Sequence, residues 1–216
     1  GTYDDIFHWL KQGKIDLALV TPGLVIGLEN CGVSVKVLAS AEGLTPEKTT
    51  LGYYRSVVVV HRDSGINKIE DLRGKNLYFV NEFSMSGYLV PAAFLSHQNI
   101  SPFENRFFCD THSRALKEVL EKKDGAAFVF EEYAKELIPT EVESLKTLCF
   151  VLDSEKKPFL YPNDFFIAAP HVPDSQCRQI QQAIVQLKDE EAWVSQLTAI
   201  HSFIKGFGPP DPGKIT

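Results

Sequence analysis

Residues 75–91, KNLYFVNEFSMSGYLVP, place an apolar run directly before a cluster of serine and glycine, and then an apolar stretch with helical spacing. NLYFV reads as a buried strand and YLVPAAFLSHQN (88–99) as a helix, so Ser84, Ser86 and Gly87 fall on a strand-to-helix turn. A turn of that kind, in an α/β protein, is where a ligand is expected.

Working outward, YYRSVVVVHRDSG (53–65) reads as a long buried strand, because consecutive valines are satisfied only in the middle of a sheet. Downstream the pattern alternates: a short helix at 66–74, the strand NLYFV (76–80), a helix at 86–99, the strand NRFFCD (105–110), a helix at 113–125, the strand AAFVF (126–130), a helix at 131–138 and the strand LKTLCFVLD (145–153). Upstream, YDDIFHWLKQG (3–13) has an apolar stripe of Ile6, Phe7 and Leu10 and a stop at Gly13. The strand IDLALV (15–20), a helix opened by Pro22, the strand VSVKVLAS (33–40) and a loop at 41–52 follow. This β-α-β rhythm implies parallel sheets covered by helices.

A proline-rich stretch (157–175) contains one more strand, FFIAA (165–169). Helices at 175–193, with a break near Asp189, and at 193–206 precede a loose tail, FGPPDPGKIT. The expected fold is α/β: two Rossmann-like lobes, residues 1–60 with 160–216 and residues 61–159, joined by a two-strand hinge with a ligand cleft between them.

Composition narrows the function classes. A chain of 216 residues with 44% apolar content can build a substantial core. The net charge of −6 comes without any extended basic cluster, which argues against nucleic acid as a partner. No apolar run approaches the roughly 20 residues of a membrane helix. Cys31, Cys109, Cys149 and Cys177 are dispersed, so a zinc site has little support, and they fit either buried small side chains or a disulfide.

The segments YDDIFHWLKQGKIDLALVTPG (3–23), YYRSVVVVHRDSGINKIEDLRGKNLYFVNEFSMSGYLVPAAFL (53–95), THSRALKEVLEKKDGAAFV (111–129) and YPNDFFIAAPHVP (161–173) resemble the phosphonate, phosphite and phosphate-ester binding proteins of ABC importers. These belong to the type II periplasmic solute-binding class. The resemblance covers nearly the whole chain, and its most specific element is the DSGI, DLRGK, SMSG and proline series in the second segment. In that family a strand and helix normally precede the first segment. Their absence here is expected to leave a sheet edge unpaired and to place any secretion signal upstream.

A tetrahedral oxyanion is held well by N–H groups at a helix start together with short hydroxyl side chains, because orphan donors and the positive end of the helix dipole coincide there. Ser84 and Ser86 supply hydroxyls and Gly87 a backbone without Cβ; the resemblance implies the same role for the family's Ser-Thr-Ser-Gly turn. An ordinary helix cap is the competing reading of the serines. Met85 departs from the family by replacing a hydroxyl residue with a thioether that cannot donate.

The resemblance further implies that Tyr54, which shares a strand face with Ser56, donates to the anion. It implies the same for His112, beside a helix start capped by Thr111 or Ser113. It would place Glu131 and Asp164 against a ligand ammonium and Tyr3 among the contacts. Packing of Tyr54 between layers, exposure of His112 in a loop and helix-start charges for the acids are the alternatives.

No nucleophile elbow, H-E-x-x-H, G-x-x-x-x-G-K-[ST] or G-x-G-x-x-G is present, so no catalytic residue, metal or cofactor is expected. The expected function is capture of a small anion by a periplasmic monomer that delivers it to an importer permease. The alternatives are a ligand-sensing domain with a signalling partner and an enzyme on the same fold.

Overall fold

The computed structural model describes residues 2–44, 50–135, 143–187, 190–200 and 204–210. Contacts divide the chain into Gly1–Tyr53 with Pro162–Thr216, and Tyr54–Tyr161. The expected break near Asp189, the last residues of the helix at 131–138 and the end of the tail lie outside the described residues.

In the first unit, α1 (Tyr3–Lys11) starts from a reciprocal cap: Asp5 N donates to Thr2 Oγ1 and Thr2 N to Asp5 Oδ2. β1 (Leu17–Val20) leads into α2 (Pro22–Asn30), where Thr21 caps and Pro22 fills the first position, which needs no N–H partner. β2 (Lys36–Leu44) then crosses the sheet.

β1 and β2 run parallel, as the alternation implies, but they are not neighbours. β11 (Phe165–Ala168), from the returning chain, lies between them and antiparallel to both. Its composition explains the position: Phe165, Ile167 and Ala168 are all buried, so the strand needs partners on both edges.

The far edge of β2 is paired by β12 (Ile204–Gly208), and β3 (Thr50–Leu51) pairs the end of β2 on the edge opposite β12. Two expectations change here. The stretch 41–44 is strand rather than loop, and α7 (Glu191–Ile200) stops short of residues 204–208, which are strand rather than helix and tail. Gly206 and Gly208 weaken a helix at that point, while the open backbone edge of β2 rewards a strand. α6 (Asp174–Gln186) and α7 cover this sheet, where Ala39, Ala41, Leu197, Ile204 and Phe207 form a core with Trp193 against it.

Where the chain passes from one unit to the other, Tyr53–Tyr54 (β4) and Tyr161–Pro162 (β10) pair as a short ribbon.

The second unit is organised on β5 (Ser56–His61), buried at every residue. It lies between β8 (Gly125–Phe130) and β9 (Leu145–Phe150), antiparallel to both, while β6 (Asn76–Phe79) runs parallel to β8 and to the edge strand β7 (Arg106–Phe108). The sheet is therefore mixed rather than parallel. Parallel neighbours require a crossover, and only the steps through α3 (Val90–His97) and α4 (His112–Lys122) supply one; β5 continues into short 3-10 turns instead.

Alternation along β5 divides the core. Val58 and Val60 pack with Leu77, Phe79, Phe94 and Phe128 on one face, and Val57 and Val59 with Tyr78, Leu116, Val119 and Val129 on the other. The final helix of this unit, α5, is described over residues 131–135.

Phe128 is fully buried and stacks on Phe79 with ring centroids 4.8 Å apart. Phe128→Ala is expected to cost about 3–5 kcal/mol, read as a lower midpoint in urea denaturation; a midpoint close to that of the parent would contradict this packing.

Candidate functional site

β6 delivers the chain to Asn81, which turns it: Phe83 N donates to Asn81 Oδ1 at 2.9 Å and Ser84 N to Asn81 O at 3.2 Å. Ser84 caps the helix by accepting from Gly87 N at 3.0 Å. Met85–Leu89 then forms a widened π-helical turn, with Tyr88 N and Leu89 N both donating to Ser84 O, before α3 continues to His97. Met85 and Ser86 occupy the first positions, whose N–H groups have no partner earlier in the helix. Ser84 and Ser86 are 3% and 2% exposed, so this helix start is an interior feature.

Gly87 is required by packing on the protein itself. A Cβ there would overlap Val80, and Val80 N donates to Gly87 O at 3.1 Å, so the turn lies directly against the strand end. The sequence reading assigned this glycine to close approach by a ligand; the side its Cβ would occupy faces Val80.

Residues of β5 and β10 stand at the turn, and Tyr54 of β4 and His112 of α4 join them through the shared rings of Tyr161 and Phe130. Ser56 donates its hydroxyl to Ser86 O at 2.7 Å, tying β5 to the helix start. Tyr54 meets Tyr161 edge to face at 4.4 Å between centroids and Phe130 at 6.3 Å. Tyr161 is 2% exposed and its hydroxyl completes no hydrogen bond.

Thr111 is the cap of α4, accepting from Arg114 N, which makes His112 the first helical residue rather than a loop residue. Its ring packs on Phe130 and Tyr133, and its Nδ1 is shielded from solvent without a hydrogen-bond partner. Burial lowers the imidazole to about 4, so it is neutral at pH 7 and donates from one nitrogen at most.

The acids differ in their surroundings. Glu131 is buried between Arg55, whose Nε is 2.5 Å from Oε2, and Lys135, which contacts Oε1, so its charge is already balanced. Its neighbour Glu132 has a buried Oε2 without a partner, and burial raises its carboxyl above the usual range.

In the first unit, burial raises Asp164 to about 6; its backbone is pinned by Ala41 N donating to Asp164 O at 2.7 Å. Tyr3, the first residue of α1, has its phenol raised by burial and then by the Asp164 charge, so these two are brought near each other.

Sequence reasoning missed Tyr161, Glu132 and the Arg55–Glu131 pair. Tyr161 stands in the same YPND string as Asp164, and only Ser56 carried a signal, through its shared face with Tyr54. Among the described residues, no group of three or more His, Cys, Asp or Glu is placed to hold a metal. None of the four cysteines is paired.

Gly87→Ala is expected to displace the turn from β6 and to destabilise by about 1–3 kcal/mol, measured by chemical denaturation, because the added methyl has no room. The folded chain holds the Asp164 proton more tightly than the unfolded chain, so that contribution to stability weakens as pH rises from about 4 to about 6. His112 has the opposite sign, and its contribution is lost as pH falls from about 6.5 to about 4. Asp164→Asn should remove the first slope and His112→Gln the second, in stability measured across that range; an unchanged curve in either variant contradicts the burial of that group.

The model of the family described as ABC transporter, phosphonate, periplasmic substrate-binding protein matches residues 1–212. The chain is 26% identical over 185 residues to the tetrathionate sensor histidine kinase TtrS of Salmonella typhimurium, covering 81% of this chain and 31% of that protein. It thus spans less than half the length of this curated relative. Among solved structures, PhnD1 of Prochlorococcus marinus in complex with methylphosphonate aligns with a TM-score of 0.81 and 14% identity over 100% of this chain and 80% of its own. A binding protein component of a phosphonate ABC transporter of Pseudomonas aeruginosa aligns with a TM-score of 0.76 and 18% identity, over 99% of this chain and 69% of its own. These likenesses establish the type II periplasmic binding fold. With its α/β units and a family match along nearly its whole length, the chain belongs to the periplasmic substrate-binding proteins of phosphonate ABC transporters.

Proposed function

We propose that this chain captures a small tetrahedral oxyanion, a phosphonate or a related phosphorus compound, outside the cytoplasm and delivers it as a monomer to an ABC importer permease. The observation that carries the reading is the buried helix start at Ser84–Gly87. Interior N–H groups at Met85 and Ser86, which have no partner earlier in the helix, beside the buried hydroxyls of Ser84 and Ser86 are what an anion needs, and a chain of this family has reason to keep them. Charge-assisted hydrogen bonds to such donors are the strong ones, and no bond in the ligand has to break.

Ser84, Met85, Ser86, Gly87, Tyr54 and His112 form the anion-binding group in this proposal. Met85 removes one hydroxyl donor, so the ligand depends more on the remaining ones. Of the two acids, Asp164 suits a ligand ammonium better, because the charge of Glu131 is already balanced by Arg55 and Lys135. Tyr3, beside Asp164, belongs with it.

A second reading has its own support. The similarity to a segment of a sensor histidine kinase favours a ligand-sensing domain that passes binding to a signalling partner, with a sulfur oxyanion as ligand.

A thermal-shift panel of phosphate, phosphite, methylphosphonate, 2-aminoethylphosphonate, a phosphate ester and tetrathionate tests both. A true ligand at about 100 times its Kd stabilises by about 2.7 kcal/mol, a readily measured shift. A response to the phosphorus compounds supports capture for import, a response to tetrathionate alone supports the sensor, and none at all contradicts both. Ser86→Ala is expected to weaken the response about tenfold in Kd, the loss of one hydrogen bond to an anion.

A further inference from the structure

The geometry points to Tyr161 as an additional donor to the bound oxyanion, its phenol completing the ring of donors around the Ser84–Gly87 helix start. This rests on the oxyanion reading above and identifies a residue of that same site.

Tyr161 is among the largest fully buried side chains, held by Tyr54 edge to face and by Phe159 at 6.0 Å between centroids. Buried phenols ordinarily find an acceptor, and Tyr78 in the same unit does so, donating to Asp124 Oδ1 at 3.0 Å. Tyr161 does not: its oxygen is enclosed and completes no hydrogen bond. A desolvated donor left without an acceptor is unfavourable, and it marks a place where something absent from the chain belongs.

The neighbours at that oxygen indicate what belongs there. The hydroxyls of Ser56 and Ser86 lie near enough to act on the phenol, although neither contact has hydrogen-bond geometry. The Ser56 proton is already given to Ser86 O. Ser86 also carries one of the helix start's unpaired N–H groups, so the phenol and a helix-start donor lie side by side.

A group seated between them must accept from two donors at once; an ammonium cannot, and an anionic oxygen does so most strongly, which fits the oxyanion end of a ligand. Burial holds the phenol protonated far above pH 7, and the Glu132 and Glu131 charges act in the same direction. Tyr161 is therefore a neutral donor at pH 7. Such a donor strengthens anion binding without a cation, in a unit whose Arg55 and Lys135 are already bound to Glu131.

Tyr161→Phe tests this, since it removes one oxygen and keeps the ring that Tyr54 packs against. Calorimetric titration of parent and variant with methylphosphonate and with inorganic phosphate should show an affinity about 10- to 100-fold lower in the variant, with ligand-free thermal stability equal or higher. Equal affinity would overturn the assignment of Tyr161 while leaving the oxyanion reading intact, provided Ser86→Ala still weakens binding. A variant less stable than the parent without ligand would also overturn it, because the phenol would then have a partner within the protein. A parent that binds neither these anions nor any other of the panel would overturn both readings.

Discussion

The candidate site depends on the contact between Gly87 and Val80. Because residue 87 has no Cβ, the helix start lies against the end of β6, Val80 N reaches Gly87 O, and Ser84 and Ser86 are drawn into the interior with their hydroxyls and N–H groups. A helix start at the surface would spend these donors on water. Held inside, they keep their dipole in a medium that screens it weakly, so that an anion gains more from them.

Near the helix start the second unit pairs its cations and keeps its donors neutral. Arg55 and Lys135 neutralise Glu131, His112 is kept neutral by burial, and Tyr161 remains protonated. Burying an unpaired cation would be costly in the ligand-free state, whereas hydroxyls and one imidazole N–H are tolerated at a smaller penalty. The penalty that persists is visible in the unpartnered Tyr161 hydroxyl and His112 Nδ1. In the proposed function these atoms have a purpose, since a receptor has to keep donors unspent until its ligand arrives.

The same requirement for paired backbone groups explains the sheets. β5 is buried at every residue and is flanked on both edges, and β11, equally apolar, is inserted between β1 and β2. β12 forms at 204–208 because β2 offers an edge there, although the local sequence favours neither strand nor helix strongly. Tertiary pairing overrides propensity where propensity is weak.

The sequence by itself determined the α/β class, the central position of the valine run, and the strand-to-helix turn at Ser84–Gly87, because each is written in short-range patterns of apolar spacing and turn residues. The family resemblance added His112, Asp164 and Tyr3 to the candidates. Only the tertiary structure decided the strand order, the mixed direction of the second sheet, and which polar groups are already satisfied. Glu131 and Asp164 look alike in sequence, yet one is bound to Arg55 and Lys135 and the other is left with a raised pKa. Tyr161 was equally hidden, since a tyrosine in a proline-rich stretch carries no sign of whether its hydroxyl will find an acceptor. The physical reason is range: secondary structure follows from neighbours a few residues apart, whereas the partner of a polar atom is set by residues such as Ser56 and Ser86, far away in the chain, and by whatever ligand the fold leaves room for.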